Sequence, residues 1–177
     1  MTLALLVLIS MMWIPVGMFF LGAGEAKGTG FVTGVVGIIV VVGATIECIL
    51  GGASGAFATA PLFVFGILYL QVSYALLAGL TDLRTLGNGA LVVAIVCAFY
   101  AIMFATGAAK PDGTVLIAKT AYLAFMYTTF TVLCLSVTAQ AYGKIGAKLP
   151  AWLLIILSFT CLLAPSFSVF ATGKFPF

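Results

Sequence analysis

Six apolar stretches, each long enough to cross a bilayer as a helix, take up nearly all of this chain. They run over 1–22, 30–51, 57–79, 86–107, 115–142 and 149–172. A span needs roughly 20 apolar residues to cross about 30 Å of hydrocarbon. Lipid offers backbone N–H and C=O groups no partner, so each stretch must satisfy them internally, as a helix. Four acidic and seven basic residues are left to sit between the stretches. The chain is 6% charged against the roughly 25% of a soluble domain, so it cannot build a water-facing shell. The expected fold is an all-α membrane protein, one six-helix transmembrane domain over 1–177. The fifth stretch exceeds a minimal span and is expected to tilt or project beyond the bilayer. The first lacks a basic n-region and carries Met11, Met12, Trp13 and Pro15, which suits a permanent helix better than a signal peptide.

Several kinds of chemistry are poorly supplied. Without histidine no Ser–His–Asp set can form, and neither paired carboxylates nor a Gly-rich phosphate loop is present. No catalytic residues are therefore expected. Cys48, Cys97, Cys134 and Cys161 lie one each on four different helices. Metal and haem sites want clustered ligands, so these cysteines read as small buried hydrophobes, with no metal or cofactor site. A net charge of +3 without a basic run gives no reason to expect a nucleic-acid partner.

Three charged, glycine-containing turns, 22–30, 79–89 and 143–150, each precede an apolar run. The pattern suggests three helical hairpins. The other connections, 51–56 and 107–114, fall on the opposite face. Lys27, Arg84, Lys144 and Lys148 mark the turn face, and Lys110, Lys119 and Lys174 the other. That excess barely engages the positive-inside rule. Gly30 and Gly34 form a GxxxG that favours close helix packing in lipid. Pro15, Pro61 and Pro165 fall in or near spans, where neighbouring helices accommodate a kink.

Intramembrane ionisable residues are functional candidates by default. Glu47 on the second helix and Lys119 near the start of the fifth share one side of the membrane. They are expected to touch, to border a polar vestibule, or to be solvated at the interface. Asp82 and Arg84 in a turn read as an anchoring pair. The other in-helix polar groups are neutral, among them Thr33, Gln71, Thr128, Thr129, Thr131 and Ser136. Aromatic rings are interleaved with them: Phe65, Tyr69 and Tyr74, then Tyr122, Phe125, Tyr127 and Phe130. Such rings either pack or border a conduit. Neutral donors and ring faces suit a small uncharged polar solute, because stripping a polar group of water without replacement costs roughly 2–7 kcal/mol.

The chain resembles the family of acid-activated urea channels and short-chain amide transporters. Phe31-Val-Thr-Gly-Val-Val-Gly37 is similar to the start of that family's second helix, and Leu62-Phe-Val-Phe-Gly-Ile-Leu-Tyr-Leu70 to its Leu-Phe-Gly-Phe-Thr-Tyr-Leu run. Gly79-Leu-Thr-Asp-Leu-Arg84 resembles its Gly-Leu-Asp-Trp-Arg turn, and Pro150-Ala-Trp-Leu-Leu-Ile-Ile156 with Pro165 its last helix. The resemblance implies six transmembrane helices as three helical hairpins around a protomer pore. It further implies homo-hexamers around a lipid-filled centre, in a bacterial inner (plasma) membrane, with termini outside. Carried over by position, the pore-narrowing side chains fall near Leu6 and Trp13, near Ile67, Tyr69 and Gln71, and near Tyr127 and Phe130. A register change of one residue on the fifth helix puts Tyr122, Met126 and Thr129 at the neck instead.

The chain also departs from that pattern. The tryptophan-rich fifth helix is here tyrosine, phenylalanine and threonine, and the family's sixth-helix glutamate is Leu157. Its histidine-bearing outer loop is reduced to Gly51-Gly-Ala-Ser-Gly55, so histidine-based acid gating is ruled out. The expected function is a passive facilitator for urea, a short-chain amide, ammonia or a less polar molecule. The alternative is a non-catalytic accessory subunit of a larger membrane complex, the bundle serving partner subunits as scaffold.

Overall fold

The computed structural model describes residues 2–109 and 115–177. Lys110 and the rest of the 107–114 connection beyond Ala109 lie outside the described residues. Six membrane-length helices run antiparallel in chain order: α1 (Thr2–Phe20), α2 (Ala26–Gly52), α3 (Gly55–Leu77), α4 (Arg84–Thr106), α5 (Ala121–Ala141) and α6 (Lys148–Thr172). The turns α1–α2, α3–α4 and α5–α6 gather on one face. The opposite face holds both ends of the described chain and the α4–α5 connection.

Several boundaries differ from the expected ones. α2 begins at Ala26, four residues early, because the Glu25 carboxylate caps it, accepting from Lys27 N at 2.9 Å and from Gly28 N. The expected 51–56 connection is a kink rather than a loop. Gly52 takes φ +55°, ψ −139°, a backbone shape open to a residue without Cβ, and the helix resumes at once. The fifth span, expected over 115–142, begins only at Ala121. Val115–Ile117 forms a strand, β2, antiparallel to β1 (Ala108–Ala109). The extra length read as tilt is a two-stranded ladder at the membrane edge.

Helix pairs approach through small residues. Ser73 Oγ on α3 donates to Gly30 O on α2 at 2.7 Å, and a Cβ at Gly34 would stand 2.6 Å from the same oxygen. The GxxxG thus serves the α2–α3 hairpin. At Gly17 a Cβ would meet Ile155 Cγ1 at 2.7 Å and Ala151 O at 2.8 Å, which brings α1 and α6 together. Thr138 Oγ1 on α5 donates to Gly87 O on α4 at 3.0 Å, and Tyr142 Oη to Asn88 Oδ1 at 2.6 Å.

α6 contains a π-helical turn over Ser158–Leu163, in which Ala164 N donates five residues back to Phe159 O. In that pattern Pro165 would serve Thr160 O, but proline has no N–H. The Tyr122 hydroxyl on α5 donates to Thr160 O instead. A similar substitution occurs on α3. Pro61 leaves Phe57 O without its helical donor, and Tyr100 Oη on α4 donates to it at 2.6 Å. In lipid, where no water reaches the backbone, these hydroxyls complete the helices.

Candidate functional site: two cavities and an aromatic neck

Five of the six helices surround a common axis, and two cavities lie along it. The larger, about 390 Å³, sits toward the terminal face. Its wall includes Leu6 and Ile9 of α1, Phe57 and Leu62 of α3, Tyr100 and Phe104 of α4, and Met126 and Tyr127 of α5. Ile117, Thr120 and Phe175 border its mouth. The smaller, about 60 Å³, lies toward the turn face among Val16, Phe20, Val72, Val137 and Gln140. α2 contributes to neither wall.

Trp13, Phe65 and Tyr69 belong to both walls and so stand between the cavities. Phe130 completes the neck. Its ring meets Trp13 edge-on at 5.3 Å between centroids and Phe65 at 5.6 Å. Trp13 and Phe65 are 6.3 Å apart, and Phe65 and Tyr69 5.9 Å. Those are contact separations, so the rings close the axis in this conformation. Within the neck, Trp13 Nε1 donates to Tyr69 Oη at 3.0 Å. Tyr127, just beyond on the side of the larger cavity, is backed by Phe104, stacked at 5.7 Å, and by Tyr100 at 5.2 Å.

The periodicity of α1 and α3 explains the neck. Ile9 and Trp13 are four residues apart, as are Phe65 and Tyr69, so each pair shares one helix face. Among the described residues, neither wall carries a carboxylate, lysine or arginine. Hydroxyls at the path are mainly phenolic. Most serine and threonine hydroxyls turn back onto their own helices instead, as Thr33 does to Thr29 O at 2.7 Å and Thr128 to Ala124 O at 2.8 Å.

Of the residues singled out from sequence, the structure gathers Leu6, Trp13, Tyr69, Tyr127 and Phe130 around the cavities. Six others stand elsewhere. Ile67 is 53% exposed on the outer surface, because a two-residue step from Phe65 turns it about 200° around the helix. Gln71 lines neither cavity, and its side-chain oxygen packs on Gly89 of α4. Tyr122 is buried behind α6, held by Thr160 O and by Phe175, stacked at 5.6 Å. Thr129, named with it in the alternative register, faces Cys161, its Oγ1 3.4 Å from Sγ. Glu47 stands on α2, off the axis, and exposed Lys119 flanks the mouth between Ala118 and Thr120 without entering the wall.

Sequence reasoning missed Tyr100 and Phe104, which line the larger cavity from α4. Their four-residue spacing was a signal, but the resemblance directs attention to the first, third and fifth helices. Asp82 and Arg84 form the expected pair, 2.6 Å between Oδ2 and Nη2, exposed at the α3–α4 turn.

The chain is similar in fold to the Helicobacter pylori urea channel in its closed state, determined by cryo-EM. The two share 23% identity and a TM-score of 0.84 over 98% of this chain and 100% of that one. A crystal structure of the urea channel from the same gastric pathogen gives 24% identity and a TM-score of 0.80, over 98% and 99%. Curated proteins give no sequence match. The AmiS/UreI family transporter profile matches residues 1–172, and the chain belongs to that family.

Proposed function

We propose that this membrane protein is a passive channel for a small neutral solute of the urea and short-chain amide class. The observation that carries this reading is the axis itself: two cavities meeting at a ring of Trp13, Phe65, Tyr69 and Phe130, with no charged side chain on either wall among the described residues. An ion entering that path would lose its hydration shell without a counter-charge, which is prohibitive in apolar surroundings. A neutral amide needs only one or two hydrogen bonds and can slide flat between rings. Family membership and the fold shared with urea channels support the same solute class. The neck is shut here, so passage requires a ring to turn aside.

The working unit is a homo-hexamer in a bacterial inner membrane, with one path in each subunit. Large outward-facing side chains, Phe31, Ile67, Phe99 and Phe170 among them, supply the apolar exterior that lipid and neighbouring subunits cover. Swelling of proteoliposomes in urea, acetamide and glycerol tests the reading. Entry of urea or acetamide faster than into empty liposomes is expected. Equal rates for all three solutes with and without protein would remove the idea.

A further inference from the structure

The neck offers a passing solute a hydrogen-bond donor whose acceptor side is already occupied. An indole N–H can only donate, so in the 3.0 Å contact between Trp13 Nε1 and Tyr69 Oη the phenol oxygen is the acceptor. Both residues are buried, at 2% and 4% exposure. The phenol's own hydrogen is thereby turned away from the indole, and the hydrogen bond from Trp13 is the one that Tyr69 Oη makes among the described residues. Tyr69 lines both cavities, which puts this hydrogen where the axis narrows. The remaining neck walls are the rings of Phe65 and Phe130, whose faces accept amide N–H groups weakly.

We propose that Trp13 and Tyr69 form a carbonyl-selecting contact: Tyr69 O–H donates to the oxygen of an amide or urea at the neck, and Trp13 holds the hydroxyl in that orientation. The inference rests on the conduction reading above and names the group by which the solute is chosen. Solutes with a strong carbonyl acceptor pass, and those of the same shape with a poor acceptor are held back. A site that hydrogen-bonds its ligand rejects an analogue that leaves the buried group unpaired.

Acetamide and thioacetamide separate the two classes, since sulfur replaces oxygen while the donors are kept. After subtracting empty-liposome rates, the native protein is expected to favour acetamide by about five- to tenfold, the net worth of one hydrogen bond. Trp13→Phe leaves the phenol O–H, and Tyr69→Phe leaves the indole N–H, so each single variant keeps part of the preference. Trp13→Phe/Tyr69→Phe has neither donor, and its ratio falls below a third of the native value. A ratio at or above a third in the double variant overturns the proposal and leaves sieving by size.

Phe65→Leu is the steric control, changing both rates and not their ratio. Should the double variant fail to insert, Tyr69→Phe alone decides, by a fall of at least about twofold, because its remaining N–H is displaced toward α1. Absence of flux for both solutes through the native protein sinks the channel reading and this one with it. Conduction of both at a ratio of one overturns this inference alone.

Discussion

Tyr100 donates its hydroxyl to the carbonyl of Phe57, 2.6 Å away on the neighbouring helix, and stacks its ring on that of Phe57 at 4.8 Å. The carbonyl is unserved because Pro61, four residues on, has no N–H. Tyr122 treats Thr160 O in the same way beside Pro165. The two prolines loosen α3 and α6 beside the larger cavity, and tyrosines from α4 and α5 restore what they remove.

The repair predicts a specific energetic coupling. Tyr100→Phe keeps the ring stack but leaves a half-buried backbone oxygen without a donor, which costs about 1–3 kcal/mol. Pro61→Ala returns an N–H to that carbonyl, so the same Tyr100→Phe change costs much less in its presence. Unfolding in mild detergent across the four-member cycle is expected to give a coupling of about 1 kcal/mol or more. Additive effects would mean that the hydroxyl does not stand in for the missing donor.

Phe130 is the ring whose removal opens the neck. Phe130→Ala deletes the edge contacts to Trp13 and Phe65, costing about 3–5 kcal/mol of stability as a cavity. Amide flux should rise several-fold and glycerol should begin to pass. Ile67→Ala, on the outer surface of α3, is expected to leave both rates unchanged. Flux through Phe130→Ala at or below the native rate would place the narrow point elsewhere.

Ile67 and Tyr69 also show where the sequence stops being legible. Water punishes polar errors on one side of a soluble helix, so its amphipathic stripe announces the inward face. Here both sides are apolar, lipid outside and rings inside, and Phe65, Ile67 and Tyr69 are equally acceptable to either. The spans themselves were readable because lipid demands apolar length. Which side chains meet at the axis depends on helix rotation, and that was settled by packing of Gly17 on α6 and Gly34 on Ser73. Val115–Ile117 misled for a related reason, since a short apolar run suits a strand as well as a helix.

The α1–α6 contact gives a direct test of that packing. A methyl at Gly17 would stand 2.8 Å from the Ala151 carbonyl, a backbone atom that cannot swing aside. Gly17→Ala is therefore expected to destabilise by about 1–3 kcal/mol. Gly146, in the α5–α6 turn with nothing within 4 Å of a Cβ, is the control, and Gly146→Ala should fall within about 0.5 kcal/mol of native. Equal unfolding temperatures for the two variants would contradict the close approach.

Flux should not respond to mild acid. Among the described residues no carboxylate, lysine or arginine belongs to either cavity wall, and the chain has no histidine. At the turn face, the side chain and backbone N–H of Arg84 lower the Asp82 carboxyl from its ordinary 3.8 to about 2. A lowered value means that the pair's contribution is complete above 3.8 and is lost as pH falls through about 2. Nothing in this pair changes at pH 5. Stopped-flow acetamide entry at pH 5 is thus expected within about twofold of that at pH 7, in the native protein and in Asp82→Asn alike, because no histidine and no carboxylate of the described residues lines the path. Steep activation toward pH 5 would require a carboxylate coupled to the neck from outside its walls, and Glu47→Gln would then be the substitution to abolish it.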